Sequence, residues 1–263
     1  MRLLFWRPRP VPVLELHGLL AARPGALNIQ AIGPLIDRAV AAAAAAPGRV
    51  LLLDIQSPGG SPVQSDLIAT RLRRRAEEKG VRLIAVIGEV GASGGYWLAC
   101  AADEIVANAM SVVGSIGVIG GGFGVPAVLA RLGVERRLYT AGANKARLDP
   151  FSPERPEDAA FVRALLEDLH TRFKDWVRTR RAGRLRADEA ALFDGGWMLG
   201  ARAAEVGLID RVGDLDAVLH AVGGPKARAH VVRPRKRGWL ARLPRTLAGE
   251  MAAAMAEAGL PRV

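Results

Sequence analysis

The sequence predicts an α/β fold, and three observations carry that prediction. Short aliphatic runs bounded by turn residues recur along the chain, as strands buried on both faces of a parallel sheet do. Stretches with apolar residues at helical spacing separate them. The regular alternation of the two is the signature of connections laid over the faces of a sheet.

Val11 to Leu20, VPVLELHGLL, reads as the first strand. Ile29 to Ala46 sets Ile32, Leu35, Ile36 and Ala39 at helical spacing and stops at Pro47-Gly48. Val50 to Ile55, VLLLDI, is a second, nearly continuous aliphatic strand, and a helix from Pro62 to Lys79 follows, closed by Gly80. The cycle repeats with Arg82 to Ile87 as strand, a glycine-rich turn at Gly91 to Gly95, a helix through Trp97 to Ala102 and a short strand from Glu104 to Ala107. After Val118 the pattern changes: residues 119–124 are a flexible turn, Pro126 to Leu132 a helix, and Arg136 to Thr140 one more strand. Beyond Pro153 the chain is mainly helical. Glu157 to Arg181 places Phe161, Leu165, Leu169, Phe173 and Trp176 on one stripe, which suits core or a packed partner subunit. Short helices at Ala187 to Phe193 and Ala201 to Val206 flank a turn at Gly195-Gly196, and Leu208 to Val212 gives a last small strand.

The 263 residues and 50% apolar content allow a sizeable core. Composition divides the chain into a domain over residues 11–220 and a basic tail over 221–263, partly helical or disordered. From Arg233 the tail joins an arginine cluster to an amphipathic run with Trp239, Leu240 and Leu243, which reads as a solvated tail or as attachment to an anionic membrane surface. The net charge is +11, but only five of the 37 cations are lysines, and the arginines scatter without a recognition motif, so nucleic acid is not an expected partner. A lone Cys100 excludes an intramolecular disulfide framework, and no Cys/His cluster has metal-ligand spacing, so neither metal nor cofactor is expected. No apolar run reaches the length of a membrane span, and the start, MRLLFWRPRPV, is too short in apolar residues for a signal-peptide core. A cytoplasmic protein, or one peripheral to the membrane, is the expectation.

Two glycine-rich turns could carry chemistry. Ser93 stands in Gly91-Ala92-Ser93-Gly94-Gly95-Tyr96, between an aliphatic strand and a helix, where small neighbours let a carbonyl approach and helix-start amides point the same way. Its alternative role is a simple helix cap. Ser57-Pro58-Gly59-Gly60-Ser61 follows a buried strand and exposes backbone amides with no side chain in the way; a plain connecting loop would use the same residues. A serine nucleophile needs a base. Of the four histidines, His17 lies in a strand with no acid pattern nearby, His170 lies on the long helix, and His220 and His230 lie far from the turns. Lys145, in Gly142-Ala143-Asn144-Lys145, could act as base if kept neutral by burial, or be an exposed loop lysine. Ser115, in Gly114-Ser115-Ile116-Gly117, could orient that amine or satisfy a tight turn.

Taken in order, SPGG, ASGGYWLA, ADEIVAN, VGSIGV, GANKARLDPFSP and DGGWMLGARAAEVGLID resemble the signal peptide peptidase A family of serine peptidases, over roughly residues 11 to 215. The resemblance implies a ClpP/crotonase-like spiral of βαβ units with a mainly helical C-terminal part. It further implies a serine endopeptidase with a Ser/Lys dyad, acting on signal peptides or other short or unfolded peptides. Carried over, Ser93 is the nucleophile, Lys145 the general base and Ser115 the hydroxyl that positions it; the amide of Gly94, with that of Gly59 or Gly60, forms the oxyanion hole. It also implies a homo-oligomeric ring in which neighbouring subunits can complete the site. Members commonly carry an N-terminal membrane span, and none is visible here. Two other readings remain open: a catalytically silent scaffold or membrane-surface adaptor, and an acyl-CoA enzyme of the same fold, which would need acidic residues near the turns.

Overall fold

A computed structural model describes residues 10–233. Its eight strands form one sheet with the path β6-β5-β3-β2-β1-β8. In chain order the elements are β1 (Pro10–His17), α1 (Ile29–Ala45), β2 (Val50–Ser57), α2 (Pro62–Lys79), β3 (Arg82–Ala92), α3 (Gly94–Ala99), β4 (Glu104–Ala107), β5 (Val112–Gly114), α4 (Pro126–Arg131), α5 (Pro156–Arg180), α6 (Glu189–Leu192), β6 (Trp197–Leu199), α7 (Gly200–Glu205), β7 (Arg211–Val212), α8 (Leu215–Gly223) and β8 (Arg228–Val231). This is the α/β class that the alternating pattern predicts. Every pairing is parallel except β5 with β6.

Alternation along the strands builds two apolar layers. Leu14, Leu16, Leu51, Leu53, Ile55 and Leu83 face α1, α2 and α3, whereas Val11, Val13, Leu52, Ile84 and Val86 face Val218 and Leu219 of α8. Burying each such side chain contributes about 1.5–3 kcal/mol, so the central strands need covering on both sides. Local chemistry sets the boundaries. Asn28 caps α1 by accepting from the Ala31 amide, Ser61 and Pro62 start α2, and Gly80, in the left-handed region at φ 58°, stops it.

The third strand is longer than the aliphatic run alone predicts. Its first half, Ile84 to Ile87, pairs with β4, and its second half, Val90 to Ala92, passes into the glycine-rich segment and pairs with β5. This split delivers Ser93 to the end of the strand beside β5. Several elements depart from the sequence expectation. Arg136 to Thr140 is not a strand: all of residues 131–140 are exposed, with neither a sheet edge nor a buried face to hold an extended conformation. Of Leu208 to Val212, only Arg211–Val212 is strand. The short strands β5, β6 and β8 escape a reading based on periodicity, because three or four residues show too little alternation. With α8 and β8 the sheet continues to Val231, past residue 220; the amphipathic part of the tail lies outside the described residues.

The second half of α5 docks on α3 and the turns beyond it. Trp97 lies 5.0 Å from Phe173 and 5.9 Å from Trp176, ring centre to ring centre, and the Trp176 indole donates to the Trp97 carbonyl at 3.0 Å. Arg181, 1% exposed, ends the helix by donating to the Gly207 carbonyl at 2.8 and 3.0 Å and to Asp210 at 2.8 Å. Arg181→Met is therefore expected to lower stability by about 3 kcal/mol or more in urea unfolding, because it leaves a carbonyl and a carboxylate without their buried partner.

Candidate active site

Ser93 is held at φ 51°, ψ −123°, a backbone conformation that residues with a Cβ rarely adopt. Its amide donates to the Gly114 carbonyl at 2.8 Å and its carbonyl accepts from Trp97 at 2.9 Å, so strand, neighbouring strand and helix all fix the turn. The side chain makes no capping bond to α3. A serine that served only as a cap would make that bond; here the strained backbone presents a hydroxyl that the helix start does not use.

The second turn packs directly against the first. A Cβ on Gly59, at φ 101°, would lie 2.7 Å from both the Ser93 Cβ and the Gly94 nitrogen. Gly95 is equally constrained, since a Cβ there would run into the Ser57 carbonyl. Sequence reasoning offers the amide of either Gly59 or Gly60 beside that of Gly94. The structure separates them: the Gly59 amide donates to Ser57 Oγ at 3.2 Å, whereas the Gly60 and Gly94 amides make no hydrogen bond among the described residues. Two free amides thus flank the turn of Ser93.

These turns open on a cleft of about 610 Å³ whose lining includes Ser93, Gly94, Gly60 and Ser115. Trp97, Leu169 and Phe173 give it an apolar wall. Ser115 is itself in the left-handed region at φ 53°, and its amide donates to the Gly196 carbonyl at 2.6 Å. Two further cleft residues were not expected from the sequence. Asp194 is an acid beside the turns, already engaged in accepting the Gly196 amide at 2.7 Å. His170 reaches the cleft from α5 and bonds the Ile116 carbonyl at 3.0 Å. Helical spacing marks the stripe of α5 but not which loop that stripe meets.

Lys145 is not in this cleft lining. It lies exposed on a segment between β5 and α5 that is tied to itself and to the first turn of α5: Arg136 bonds Asp149 at 2.9 Å, and Arg147 and Arg155 both bond Asp158 of α5. No residue of α4 is buried, and Ile119, Phe123 and Tyr139 are almost fully exposed. Within one copy of the chain, the structure brings Ser93, Ser115, Gly94 and Gly60 together and leaves Lys145 apart.

His17 also differs from its expectation. Residues 15 and 54 are register partners on β1 and β2, which brings the His17 Nε2 within 3.0 Å of Asp54 Oδ2. Pairing across strands created an acid partner that no local pattern shows. Burial pushes the Asp54 carboxyl above its ordinary value, against the pull of His17.

A parallel sheet that ends in a strained serine, with two unbonded amides and an open cleft beside it, is an α/β scaffold able to receive a tetrahedral oxyanion. The model of peptidase family S49 matches residues 75–225, and the chain belongs to that family. It is 42% identical over 237 residues to a Brucella abortus protein named Na(+)/H(+) antiporter NhaA, covering 88% of this chain and 31% of that one. Proteins named probable protease SohB are 32% identical over 169 residues in Buchnera aphidicola, covering 64% of this chain and 49% of that one, and 31% identical over 169 residues in Haemophilus influenzae, covering 64% and 47%. The chain thus spans between 31% and 49% of the length of these relatives. Family membership agrees with the resemblance drawn from the six motifs.

The Asp54 environment gives a pH test. A carboxyl whose value is raised by folding loses its proton first in the unfolded chain, near pH 3.9, so its contribution to stability declines as pH rises through the folded value. Asp54→Asn removes that loss. Its stability relative to the unsubstituted protein, from urea unfolding, is expected to be more favourable at neutral pH than at acidic pH; the opposite trend would mean that pairing with His17 outweighs burial.

Proposed function

We propose that this chain is a serine endopeptidase in which Ser93 attacks the peptide carbonyl. The observation that carries the reading is the strained Ser93 turn, its hydroxyl unused by the helix cap and flanked by the free amides of Gly60 and Gly94. In the reaction, a neutral Lys145 amine takes the Ser93 hydroxyl proton as the oxygen bonds to the carbonyl carbon. The carbonyl electron pair moves onto oxygen, where the two amides receive it. Collapse breaks the C–N bond, and Lys145 returns the proton to the leaving amine. Water, deprotonated by the same amine, then attacks the acyl carbon; the bond from that carbon to Ser93 Oγ breaks, and Lys145 returns the proton to Oγ, which restores the hydroxyl and the neutral amine. Ser115 orients the amine by hydrogen bonding.

Lys145 reaches the cleft of a neighbouring copy in this reading. Its exposed position, on a segment whose apolar residues Ile119, Phe123 and Tyr139 face solvent in a single chain, supports a homo-oligomeric ring. Packing against the neighbour would also supply the dry surroundings a neutral amine requires. Extended peptides, such as signal peptides or other unfolded segments, suit a cleft open at its mouth, and binding can use backbone pairing beside Pro58 to Gly60. No helix among the described residues is long and apolar enough to cross a membrane. A peripheral position at a membrane is supported by the Brucella relative, in which the similar segment is part of a longer chain named as an antiporter.

The test is fluorophosphonate labelling and peptide hydrolysis by the unsubstituted protein, Ser93→Ala and Lys145→Ala. Each substitution is expected to reduce hydrolysis by about 10³-fold or more, as removal of a member of a catalytic unit does. Mixing the two inactive variants under conditions that exchange subunits should restore activity, to about a quarter if interfaces are head-to-tail and exchange is random. Absence of labelling and cleavage in the unsubstituted protein would overturn the peptidase reading. A mixture that stays inactive despite exchange would overturn the shared site alone.

A further inference from the structure

The turn carrying Ser115 is strained, and the structure shows what holds it. On its N-terminal side the Ser115 amide is bonded to the Gly196 carbonyl at 2.6 Å. On its C-terminal side Gly117 is pressed against the 195–196 turn, where a Cβ would lie 2.7 Å from the Gly195 Cα. Between these, the Ile116 side chain is fully buried, and its carbonyl is met by His170 Nε2 at 3.0 Å, across 54 residues of sequence. A carbonyl only accepts, so Nε2 carries the proton and donates it. Among the described residues this is the only hydrogen bond the Ile116 carbonyl accepts. The nearby charges on α5, Glu167 and Lys174, bond each other at 2.9 Å, and Asp194 is engaged with Gly196. The imidazole is thus a hydrogen-bonded link between α5 and the Ser115 turn, beside the apolar packing of Ile116 in the core that Phe173 shares.

We propose that His170 is a positioning residue, which holds the turn in its strained conformation and so fixes where the Ser115 hydroxyl points into the cleft. This rests on the reading in which Ser115 orients the amine. Without the bond, a buried carbonyl loses its partner and the left-handed conformation at Ser115 loses one of its restraints. The hydroxyl then samples directions that do not serve the amine, and the chemical step slows while substrate binding is retained.

The experiment compares His170→Phe, which keeps a ring in the apolar wall but has no donor, with His170→Gln, whose amide nitrogen can replace Nε2. His170→Phe is expected to lower kcat about tenfold with little change in KM, and His170→Gln to recover most of that loss. In a Ser115→Ala background the Phe substitution should cost less than about twofold, since the group it positions is gone. Hydrogen exchange at the Ser115 amide should rise about tenfold in His170→Phe and stay near its original value in His170→Gln, with global stability similar in both. An equal loss of kcat with and without Ser115, or unchanged exchange in His170→Phe, would overturn the proposal while leaving the Ser93 chemistry intact. If the unsubstituted protein does not cleave peptides, the catalytic reading fails on its own, and exchange at Ser115 still decides whether His170 holds the turn.

Discussion

The contact between two backbones, at Gly59 and at Ser93–Gly94, is the constraint on which the rest of the site depends. Any Cβ on Gly59 would meet Ser93 and Gly94, so the two turns meet only because side chains are missing where they touch. That closeness sets the Gly60 and Gly94 amides beside the serine. The sheet supplies the framework: β2 ends in one turn and β3 in the other, and their parallel pairing, from Val50–Arg82 to Ser57–Gly91, fixes the distance between those ends. The groups that face the cleft at these turns are therefore main-chain amides, set by the meeting of two backbones rather than by side chains.

Local chemistry explains which parts were legible in the sequence. The two glycine turns announce themselves because only glycine tolerates such crowding, and the strands β1, β2 and β3 are visible as aliphatic runs long enough to bury both faces. Ser93 and the amides of Gly94 and of Gly59 or Gly60 stand out in the turns themselves, whereas grouping them with Ser115 and Lys145 rests on the family resemblance. What escaped notice depends on partners distant in the chain. The His17–Asp54 pair exists through strand register, the His170–Ile116 bond through the docking of α5, and β5 and β6 through each other. None of these leaves a periodic or compositional trace. The expected strand at Arg136 to Thr140 failed for the converse reason: its local pattern meets no sheet edge.

Helix α5 has two unlike halves. Its C-terminal half is bound through Trp176, Arg180 and Arg181 to α3 and the turns beyond, whereas Phe161 and Leu165 in its N-terminal half are about half exposed. One continuous helix thus connects the anchored core, the cleft wall at Leu169 and His170, and the exposed segment that carries Lys145. The rigidity of a 25-residue helix means that these three places share one frame of reference.

The order in which the chain is made gives the cleft a further property. Its walls come from residues as far apart as Pro58 and Gly195, and parallel strands cannot pair until their crossovers are complete. A nascent polypeptide that has emerged only as far as β5 has the serine turn but neither α5 nor the 195–196 turn. Synthesis itself therefore withholds the finished cavity until the 195–196 turn has emerged, and a chain stalled before that point carries the Ser93 turn with no enclosure around it.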